Sequence, residues 1–301
     1  MAHISVLSDE VLKGLNIREN DTVLDATVNG GGHSERIAQK LGGGGILIGV
    51  DMDSEALDSA RERLLHAGAR VVLKEGNFRD LDVFLREEHI TNVDKFLFDL
   101  GISSRQLDES TRGFSFRSDA PLLMTFSPKP SPDALTAREI VNAWEEESIR
   151  DILSGYGEER YARRIAHAIA EARTKGSIKT TGQLVEVVRG AVPKRYESGR
   201  IHFATRTFQA LRMTVNDEIE SLREGLAKAF DALSPRGRIA VITFHSIEDR
   251  IVKRTFKQFE DEGGGVRITK RPIRPSEEEV KENPRSRSAK LRIFEKHAKE
   301  K

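Results

Sequence analysis

The most constraining feature of this chain is the stretch from residue 21 to residue 53, in which two short apolar runs each end at an aspartate. Residues 22–24 stop at Asp25, and residues 46–50 stop at Asp51. A glycine-rich turn and a segment with helical spacing lie between them, which predicts strand, turn, helix and strand. In α/β nucleotide-binding folds, a carboxylate at the tip of the second strand hydrogen-bonds a ribose. The stretch therefore predicts a site for a nucleoside-containing cofactor.

The glycine turn favours one such cofactor over another. A dinucleotide-binding loop reads Gly-x-Gly-x-x-Gly, but here Gly30-Gly31-Gly32 is followed by His33-Ser34-Glu35, so the third glycine is missing. Asp25 lies just before the loop, where a carboxylate suits a positively charged ammonium or sulfonium better than a pyrophosphate. We therefore favour S-adenosylmethionine (SAM) over NAD. A glycine-rich turn without a ligand is the structural alternative.

Further apolar runs extend the same rhythm along the chain. Residues 71–73 and 96–98 predict two more strands, and residues 238–244 predict that the sheet resumes late in the sequence. Between them, residues 101–132 carry four prolines without a clear period, and residues 136–189 have helical spacing. The pattern is typical of an α/β protein with a parallel sheet and a helical insertion.

The insertion sets the predicted domain organisation. We expect the first part of the sheet domain at residues 1–112, the helical insertion at residues 113–202, and the second part with a basic tail at residues 203–301. Residues 203–233 are expected to form one long helix. The proline-containing tail is expected to be a loop until a final strand near residues 291–294.

Composition excludes several classes of protein. Of 301 residues, 38% are hydrophobic and 32% charged, and no apolar run approaches the ~20 residues that a membrane span needs. The first residues lack the pattern of an export signal, so no membrane association and a cytoplasmic location are expected. The absence of cysteine excludes disulfides and thiolate zinc sites. The eight histidines are scattered without metal-ligand spacing, so no metal site is predicted.

Positive charge is concentrated in two segments, although the net charge of the chain is only +1. Residues 160–212 hold 12 Lys and Arg against 3 acidic residues, and residues 266–301 hold 12 against 6. Either segment alone could be a solvated helix face. Both together, beside a nucleoside-cofactor fold, favour a nucleic acid partner.

Three positions outside the loop are candidates for chemistry. Asp99 follows the strand at residues 96–98, where its carboxylate could hold an exocyclic amine in line with a methyl donor or merely cap the next turn. His245 follows another strand and could contact a substrate base. In the sequence RGFSF, Phe114 and Phe116 could stack on an unpaired base while Arg112 takes a phosphate. Both rings could equally be core anchors.

Taken together, these segments resemble one family, the bacterial 16S ribosomal RNA cytosine-N4-methyltransferases, which are SAM-dependent enzymes acting on the decoding region of the small subunit. The matching stretches, in chain order, are DATVNGGGHS, IGVDMD, EGNFRDL, LFDLGISSRQLDESTRGFSF, YGEERYARRIAHAI, ATRTFQALRMTVNDEIESL and ITFHSIEDRIVKRTFK. They cover nearly the whole chain. DLGISSRQLD followed by RGFSF, ATRTFQALR and FHSIEDR is a highly specific combination.

The resemblance implies a class I SAM-dependent methyltransferase, with a Rossmann-like α/β sheet and an inserted all-helical domain that receives RNA. Asp51 would bind the ribose, Phe78 would lie by the adenine, and Gln106 would line the methyl-transfer end with Asp99. The cofactor-binding residues expected in all are Asp25, Gly31, Gly32, His33, Asp51, Phe78, Asp99 and Gln106. Those expected on the substrate side are Arg112, Phe114, Phe116 and Arg206.

The implied reaction is direct methyl transfer from SAM to a cytosine N4 in 16S rRNA within the small ribosomal subunit. Asp99 would orient the amine, with Ser103 or His245 helping to fix the ring. No covalent adduct on the base is expected, because the chain has no cysteine and the exocyclic amine is itself a nucleophile.

The chain departs from the family pattern at six positions, one of them Ala120 in place of a glycine. Asn29 stands where the loop usually has glycine, Ser5 and Phe203 replace prolines, and Leu123 and Thr125 replace an aspartate and an arginine. The last two motivate a rival hypothesis, a non-catalytic assembly factor that binds SAM and RNA. A small-molecule methyltransferase and an NAD oxidoreductase are further alternatives. The sequence leaves open whether the protein is a monomer or a homodimer.

Overall fold

The computed structural model describes residues 5–108, 111–198 and 201–298. Contacts between Cα atoms divide the chain into a sheet unit, Met1–Ile102 with Ile219–Lys301, and a helical unit, Ser103–Glu218. The strands are β1 Thr22–Asp25, β2 Ile46–Asp51, β3 Arg70–Glu75, β4 Val93–Asp99, β5 Leu233–Thr243, β6 Gly265–Arg267 and β7 Lys290–Lys296. None of the helices in the described part of the chain is both long and apolar enough to cross a membrane.

Fourteen α-helices lie in the described residues, and two short 3-10 helices span Phe78–Asp80 and Pro284–Ser288. The α-helices are α1 Ser8–Leu15, α2 Gly32–Ala38, α3 Ser54–Arg63, α4 Leu81–Glu87, α5 Ser104–Asp108, α6 Ala137–Ala143, α7 Glu146–Gly155, α8 Ala162–Lys175, α9 Thr181–Ala191, α10 Lys194–Glu197, α11 Thr205–Val215, α12 Glu218–Ala232, α13 Ser246–Asp261 and α14 Glu277–Glu282.

The seven strands form one sheet in the order β3-β2-β1-β4-β5-β7-β6. The strands β1 to β5 are parallel, as the alternation of strands and helices predicted, whereas β7 runs antiparallel to both β5 and β6. This arrangement confirms the α/β, class I methyltransferase fold expected from the sequence.

Both faces of the sheet are covered, because successive strand residues point to opposite sides. Val23 and Leu47 pack into a core with α1, α2 and α3, while Leu24 and Ile48, one residue further along each strand, pack into a second core with α4, α12 and α13. Burial of each such side chain contributes about 1.5–3 kcal/mol. The strand sequences are continuously apolar because both of their faces are buried.

The helical unit extends beyond the range of 113–202 expected from the sequence, because α11 packs against α6 and α7. The side chain of Asn216, just after α11, accepts a hydrogen bond from the Phe126 amide (2.8 Å) and donates to the Met124 carbonyl (2.8 Å). These bonds join the end of α11 to the loop before α6. The helix α9 begins at a capping box formed by Thr180 and Gln183.

Two expectations about the second half of the chain were wrong. The single helix expected at residues 203–233 is two helices, because Asp217 has a left-handed backbone (φ 46°) between α11 and α12. Arg212 bridges the break with an ion pair to Glu218 (2.7 Å). The tail expected to be a loop contains β6 and α14, and Ser276 caps α14 by accepting a hydrogen bond from the Glu279 amide.

We predict that Gly31→Ala lowers the free energy of unfolding by about 1–3 kcal/mol, because its φ of +79° and a Cβ only 2.9 Å from Ala60 Cα both oppose a side chain. Gly30→Ala is the matched control, since a Cβ there meets nothing within 4 Å. It should change stability by less than about 0.5 kcal/mol. Urea unfolding of both variants measures the difference, and equal stabilities would contradict this account of the loop.

Candidate cofactor and methyl-transfer site

Four acidic side chains lie along the carboxyl edge of four adjacent strands, and we call them the acid row. Asp51, Asp25 and Asp99 end β2, β1 and β4, and Glu248 lies in the first turn of α13, which follows β5. Parallel strands bring their carboxyl ends to one edge of the sheet, which is where α/β folds bind ligands. The acid row therefore marks the ligand edge of the sheet unit.

Backbone amides hold the carboxylate of Asp51 in place. Its Oδ2 accepts a hydrogen bond from Asn29 N (2.7 Å), and its Oδ1 accepts one from Asp53 N (2.9 Å). Burial raises the pKa of Asp51 to about 7, although these hydrogen bonds oppose the rise. A carboxylate offers about four acceptor sites, so the fixed group can still accept a ribose hydroxyl.

Asp25 is fully buried beneath the loop. Its Oδ2 accepts a hydrogen bond from Ser34 Oγ (2.6 Å) in α2, and its Oδ1 accepts one from Thr27 N (3.3 Å). Burial raises the pKa of Asp25 to about 7, and the charge of Asp51 adds to the rise. The carboxyl group is thus poised to lose its proton when a cation binds.

Asp99 is the most strongly perturbed member of the acid row. Burial, with the charges of Asp25 and Glu248, raises its pKa to about 8. Its Oδ1 is buried with no hydrogen-bond partner among the described residues, and its Oδ2 lies 3.7 Å from His33 Nε2. A buried oxygen of this kind is costly unless a ligand satisfies it. The site thus fits a cationic group such as the sulfonium and ammonium of SAM.

The glycines of the loop have different roles from one another. Gly31 packs against Ala60 of α3, and a Cβ on Gly32 would lie 2.2 Å from Ser5 Oγ, so both allow close packing within the sheet unit. Only Gly30 faces open space. Asn29 has φ +52°, a conformation that asparagine tolerates better than most residues, which explains how it replaces the usual glycine.

Phe78 lies just past β3, on the first turn of a 3-10 helix. Its ring meets Phe98 edge to face at 5.5 Å, and a Cβ on Gly225 of α12 would lie 2.6 Å from it. Asn77 fixes the turn by accepting a hydrogen bond from Arg79 N and donating one to Ser221 Oγ. The half-buried ring of Phe78 is thus rigidly held near the ligand edge.

Ser103 and Gln106 cap one another at the start of α5, in the helical unit. Ser103 Oγ accepts a hydrogen bond from Gln106 N (3.1 Å), and Gln106 Oε1 accepts one from Ser103 N (3.1 Å). This is a capping box, and Gln106 is buried. Both residues therefore have a structural role besides those predicted from the sequence.

His245 is the N-cap of α13. Its Nδ1 accepts a hydrogen bond from Glu248 N (3.3 Å), and its Nε2 lies 3.0 Å from Glu248 Oε1. Because the cap uses the Nδ1 lone pair, the neutral ring carries its proton on Nε2 and has no lone pair for a substrate proton. The role predicted for His245 is thereby restricted to hydrogen-bond donation.

Glu248 is the residue that sequence reasoning missed. It is 4% exposed, and its Oε2 accepts hydrogen bonds from the amides of Phe244 and His245. The sequence signal was present as a glutamate a few residues after the end of a strand, but capping boxes usually begin with serine or threonine. Glu248 therefore completes the acid row through a cap that begins with a histidine.

Phe114 packs as the core anchor that the sequence analysis gave as an alternative, and Arg112 lies over its ring at 5.5 Å. Arg112 is 8% exposed and donates hydrogen bonds to the carbonyls of Thr125 and Phe126, so it holds a loop, and its contact with a phosphate stays a prediction. Phe114 is 5% exposed and stacks on Phe126 at 5.8 Å. Thr125, one of the departures from the family pattern, is buried in the same loop.

Phe116 and Arg206 are more accessible members of the helical unit. Phe116 is half-buried and stacks on His202 at 4.2 Å. Burial, and then the charge of Arg189, lower the pKa of His202. Arg206 donates a hydrogen bond to the Glu158 carbonyl (2.7 Å).

Known proteins match this chain over almost its whole length. The chain is 45% identical over 309 residues to a ribosomal RNA small subunit methyltransferase H from Brevibacillus brevis, and 44% identical over 309 residues to one from Clostridium botulinum, with 98% of each chain covered in both cases. An rRNA methylase structure from Streptococcus thermophilus has 12% identity and a TM-score of 0.45, covering 96% of this chain and 93% of that one.

The description of the matching family model is "MraW methylase family", and the match spans residues 1–297. A match over nearly the whole chain includes both units and all four members of the acid row. The chain therefore belongs to the MraW methylase family and is a methyltransferase whose cofactor is S-adenosylmethionine, as predicted from the sequence.

Proposed function

We propose that this protein transfers the methyl group of SAM to the N4 amine of a cytosine in 16S rRNA of the small ribosomal subunit. The observation that carries the proposal is Asp99, whose side chain is 13% exposed and whose buried Oδ1 has no hydrogen-bond partner among the described residues, at the ligand edge of a methyltransferase sheet. The names of relatives that match 98% of the chain support a small-subunit RNA as the substrate.

Bound SAM supplies an electrophilic methyl group and positive charge. The amine lone pair of the cytosine is delocalised into the ring, so the N4 atom needs a hydrogen-bond acceptor that holds it in line with the methyl carbon. Asp99 would accept one N4–H while the N–C bond forms and the C–S bond breaks, with the electron pair going to sulfur. The proton that N4 then loses would pass to Asp99 Oδ1.

The charge of the acid row would depend on whether SAM is bound. At neutral pH the raised pKa values of Asp25, Asp51 and Asp99 leave part of the acid row protonated. A cation in the pocket favours the carboxylate form of each group. Cofactor binding would therefore prepare Asp99 as the acceptor that the amine requires. His245 Nε2 and the Ser103 hydroxyl remain proposed donors to the base.

The experiment that tests the function is methyl transfer from radiolabelled SAM to small subunits from cells lacking this gene. Naked 16S rRNA and free cytidine serve as parallel substrates, and mass spectrometry identifies the labelled nucleoside. Label in N4-methylcytidine from subunits would support the proposal. Label on a free small molecule would favour a different methyltransferase, and SAM binding without any label would favour an assembly factor.

We predict that Asp99→Asn lowers kcat on small subunits by about 100-fold or more at saturating SAM, since positioned acid–base groups contribute about 10²–10⁴-fold. Calorimetry should show that SAM still binds, because Asp25 and Asp51 remain. Asp58→Asn, an exposed residue of α3 paired with Arg61, is the control and should leave kcat unchanged. Wild-type turnover by Asp99→Asn would remove Asp99 from the mechanism.

We predict that SAM binding releases protons near pH 7 and strengthens as pH rises toward 8. For each proton released, the affinity for SAM should increase by up to about tenfold per pH unit. The reason is that the cation favours the ionised forms of Asp25, Asp51 and Asp99. Calorimetry in buffers of different ionisation enthalpy counts these protons. S-adenosylhomocysteine, which lacks the sulfonium charge, is the matched ligand and should release fewer. Equal release by the two ligands would contradict the prediction.

The cofactor-free protein should lose stability as pH rises from about 4 to about 8. The pKa values of about 7 to 8 for the acid row lie above the reference value of 3.8, so the folded chain holds protons that the unfolded chain has released. This contribution is complete below about pH 4 and is lost as the folded groups ionise. Urea unfolding with Asp99→Asn as control measures it, and a wild-type profile that matches the variant would refute it.

A further inference from the structure

A cluster of arginines and tyrosines in the helical unit has no role in the proposed methyl transfer. It consists of Arg160, Tyr161, Arg164, Tyr196 and Arg206, and we call it the Arg–Tyr cluster. The guanidinium carbon of Arg160 lies 4.8 Å from the centre of the Tyr161 ring and 4.7 Å from that of Tyr196. Arg164 lies 5.9 Å from the Tyr161 ring. Arg160 and Arg164 are exposed.

A buried carboxylate fixes the two tyrosines from beneath. Glu159 is 3% exposed, its Oε2 accepts a hydrogen bond from the Tyr196 hydroxyl (2.8 Å), and its Oε1 accepts one from Tyr161 N (2.8 Å). The rings meet edge to face at 4.9 Å. Burial and the bond to Glu159 raise the pKa of Tyr196 to about 12. The Glu159 carboxylate is thus occupied by bonds to the two tyrosine residues, and the tyrosine rings hold the arginine side chains in place.

Arg206 joins the cluster from a distant part of the sequence. Its Nη1 donates to the Glu158 carbonyl (2.7 Å), and a Cβ on Gly157 would lie 2.7 Å from the Arg206 carbonyl oxygen. The charges of Arg206 and Arg160 both act on the Tyr196 hydroxyl. The segments YGEERYARR and ATRTFQ, which are far apart along the chain, therefore meet at this surface.

Among the described residues, no carboxylate lies within 4.0 Å of the guanidinium groups of Arg160, Arg164 and Arg206. Elsewhere in the helical unit Arg150 pairs with Asp151, and Arg189 pairs with Glu186. Three arginines collected on one face without counter-charges create a concentrated positive potential. Such a surface attracts a polyanion.

Several cations of the second basic segment are, by contrast, held within the sheet unit. Lys290 and Arg292 of β7 both bind Asp249, at 2.9 and 2.7 Å, and Arg267 pairs with Glu260. The excess positive charge that the sequence shows in this tail is thus partly structural.

We infer that the Arg–Tyr cluster docks the phosphate backbone of a single-stranded segment of the RNA substrate, outside the nucleotide that is methylated. The inference rests on the proposed function. Guanidinium groups present paired N–H donors that match phosphate oxygens, and stacking of Arg160 between rings pre-orients its fork. Tyrosine rings beside such cations also accept unpaired bases by stacking.

The test compares Arg160→Gln/Arg164→Gln with the wild type and with Arg150→Gln, an exposed arginine of the same unit. Binding to a single-stranded oligouridine is measured over a range of salt concentrations. The double variant should weaken binding, and its log–log salt slope should be shallower by about 0.7 for each phosphate that the variant no longer neutralises. Arg150→Gln should match the wild type. Arg160→Lys keeps the charge but loses the planar guanidinium group. Its affinity for the oligouridine should lie between those of the wild type and the double variant.

Steady-state kinetics on small subunits gives an independent readout. The double variant should raise KM for subunits several-fold, with kcat at saturation and SAM affinity unchanged. A double variant with the salt slope and KM of the wild type would overturn the inference. An equal loss of oligouridine affinity in Arg150→Gln would also overturn it, as would displacement of the oligouridine by an acidic peptide and not by RNA. A reduced salt slope in a protein that methylates no subunits would leave the docking surface standing and refute the proposed function instead.

Discussion

Burial of like charges at one edge of the sheet is the constraint on which the rest of this structure depends. Asp51, Asp25 and Asp99 end neighbouring strands, and Glu248 extends the row beside β5. Such groups cannot all stay ionised in a protein interior unless a cation lies beside them. Without a cation, some of them bind protons. The sheet unit meets this constraint by holding carboxylates with backbone amides, a hydroxyl or a helix cap, which leaves the remaining lone pairs for a positively charged cofactor.

The two units carry opposite charges in different places. The sheet unit concentrates negative charge inside, where desolvation makes each acid sensitive to a bound cation. The helical unit carries positive charge outside, where Arg160 and Arg164 lie over tyrosine rings and Glu159 holds the Tyr196 hydroxyl. A methyl donor and an RNA substrate carry opposite charges, so the two arrangements suit the two ligands of one reaction.

Much of the sheet unit was predictable because its information is local. Short apolar runs predicted the parallel strands, and an aspartate at the end of a run placed Asp25, Asp51 and Asp99. Contacts between distant segments were not predictable. The bonds of Arg112 to two carbonyls depend on how a loop folds back, and Asp217 breaks a helical pattern that continues on both sides. The close packing of Gly31 against Ala60, about thirty residues away, was not predictable either.

The measurement that tests the central claim most directly is the infrared difference spectrum between the SAM-bound and the free protein at neutral pH. Protonated carboxyl groups absorb apart from carboxylates, so the spectrum reports the acid row itself. The account predicts that carboxyl bands present in the free protein disappear when SAM binds, and that one of them is missing in Asp99→Asn. A free protein without any carboxyl band at pH 7, or bands that SAM leaves unchanged, would contradict it.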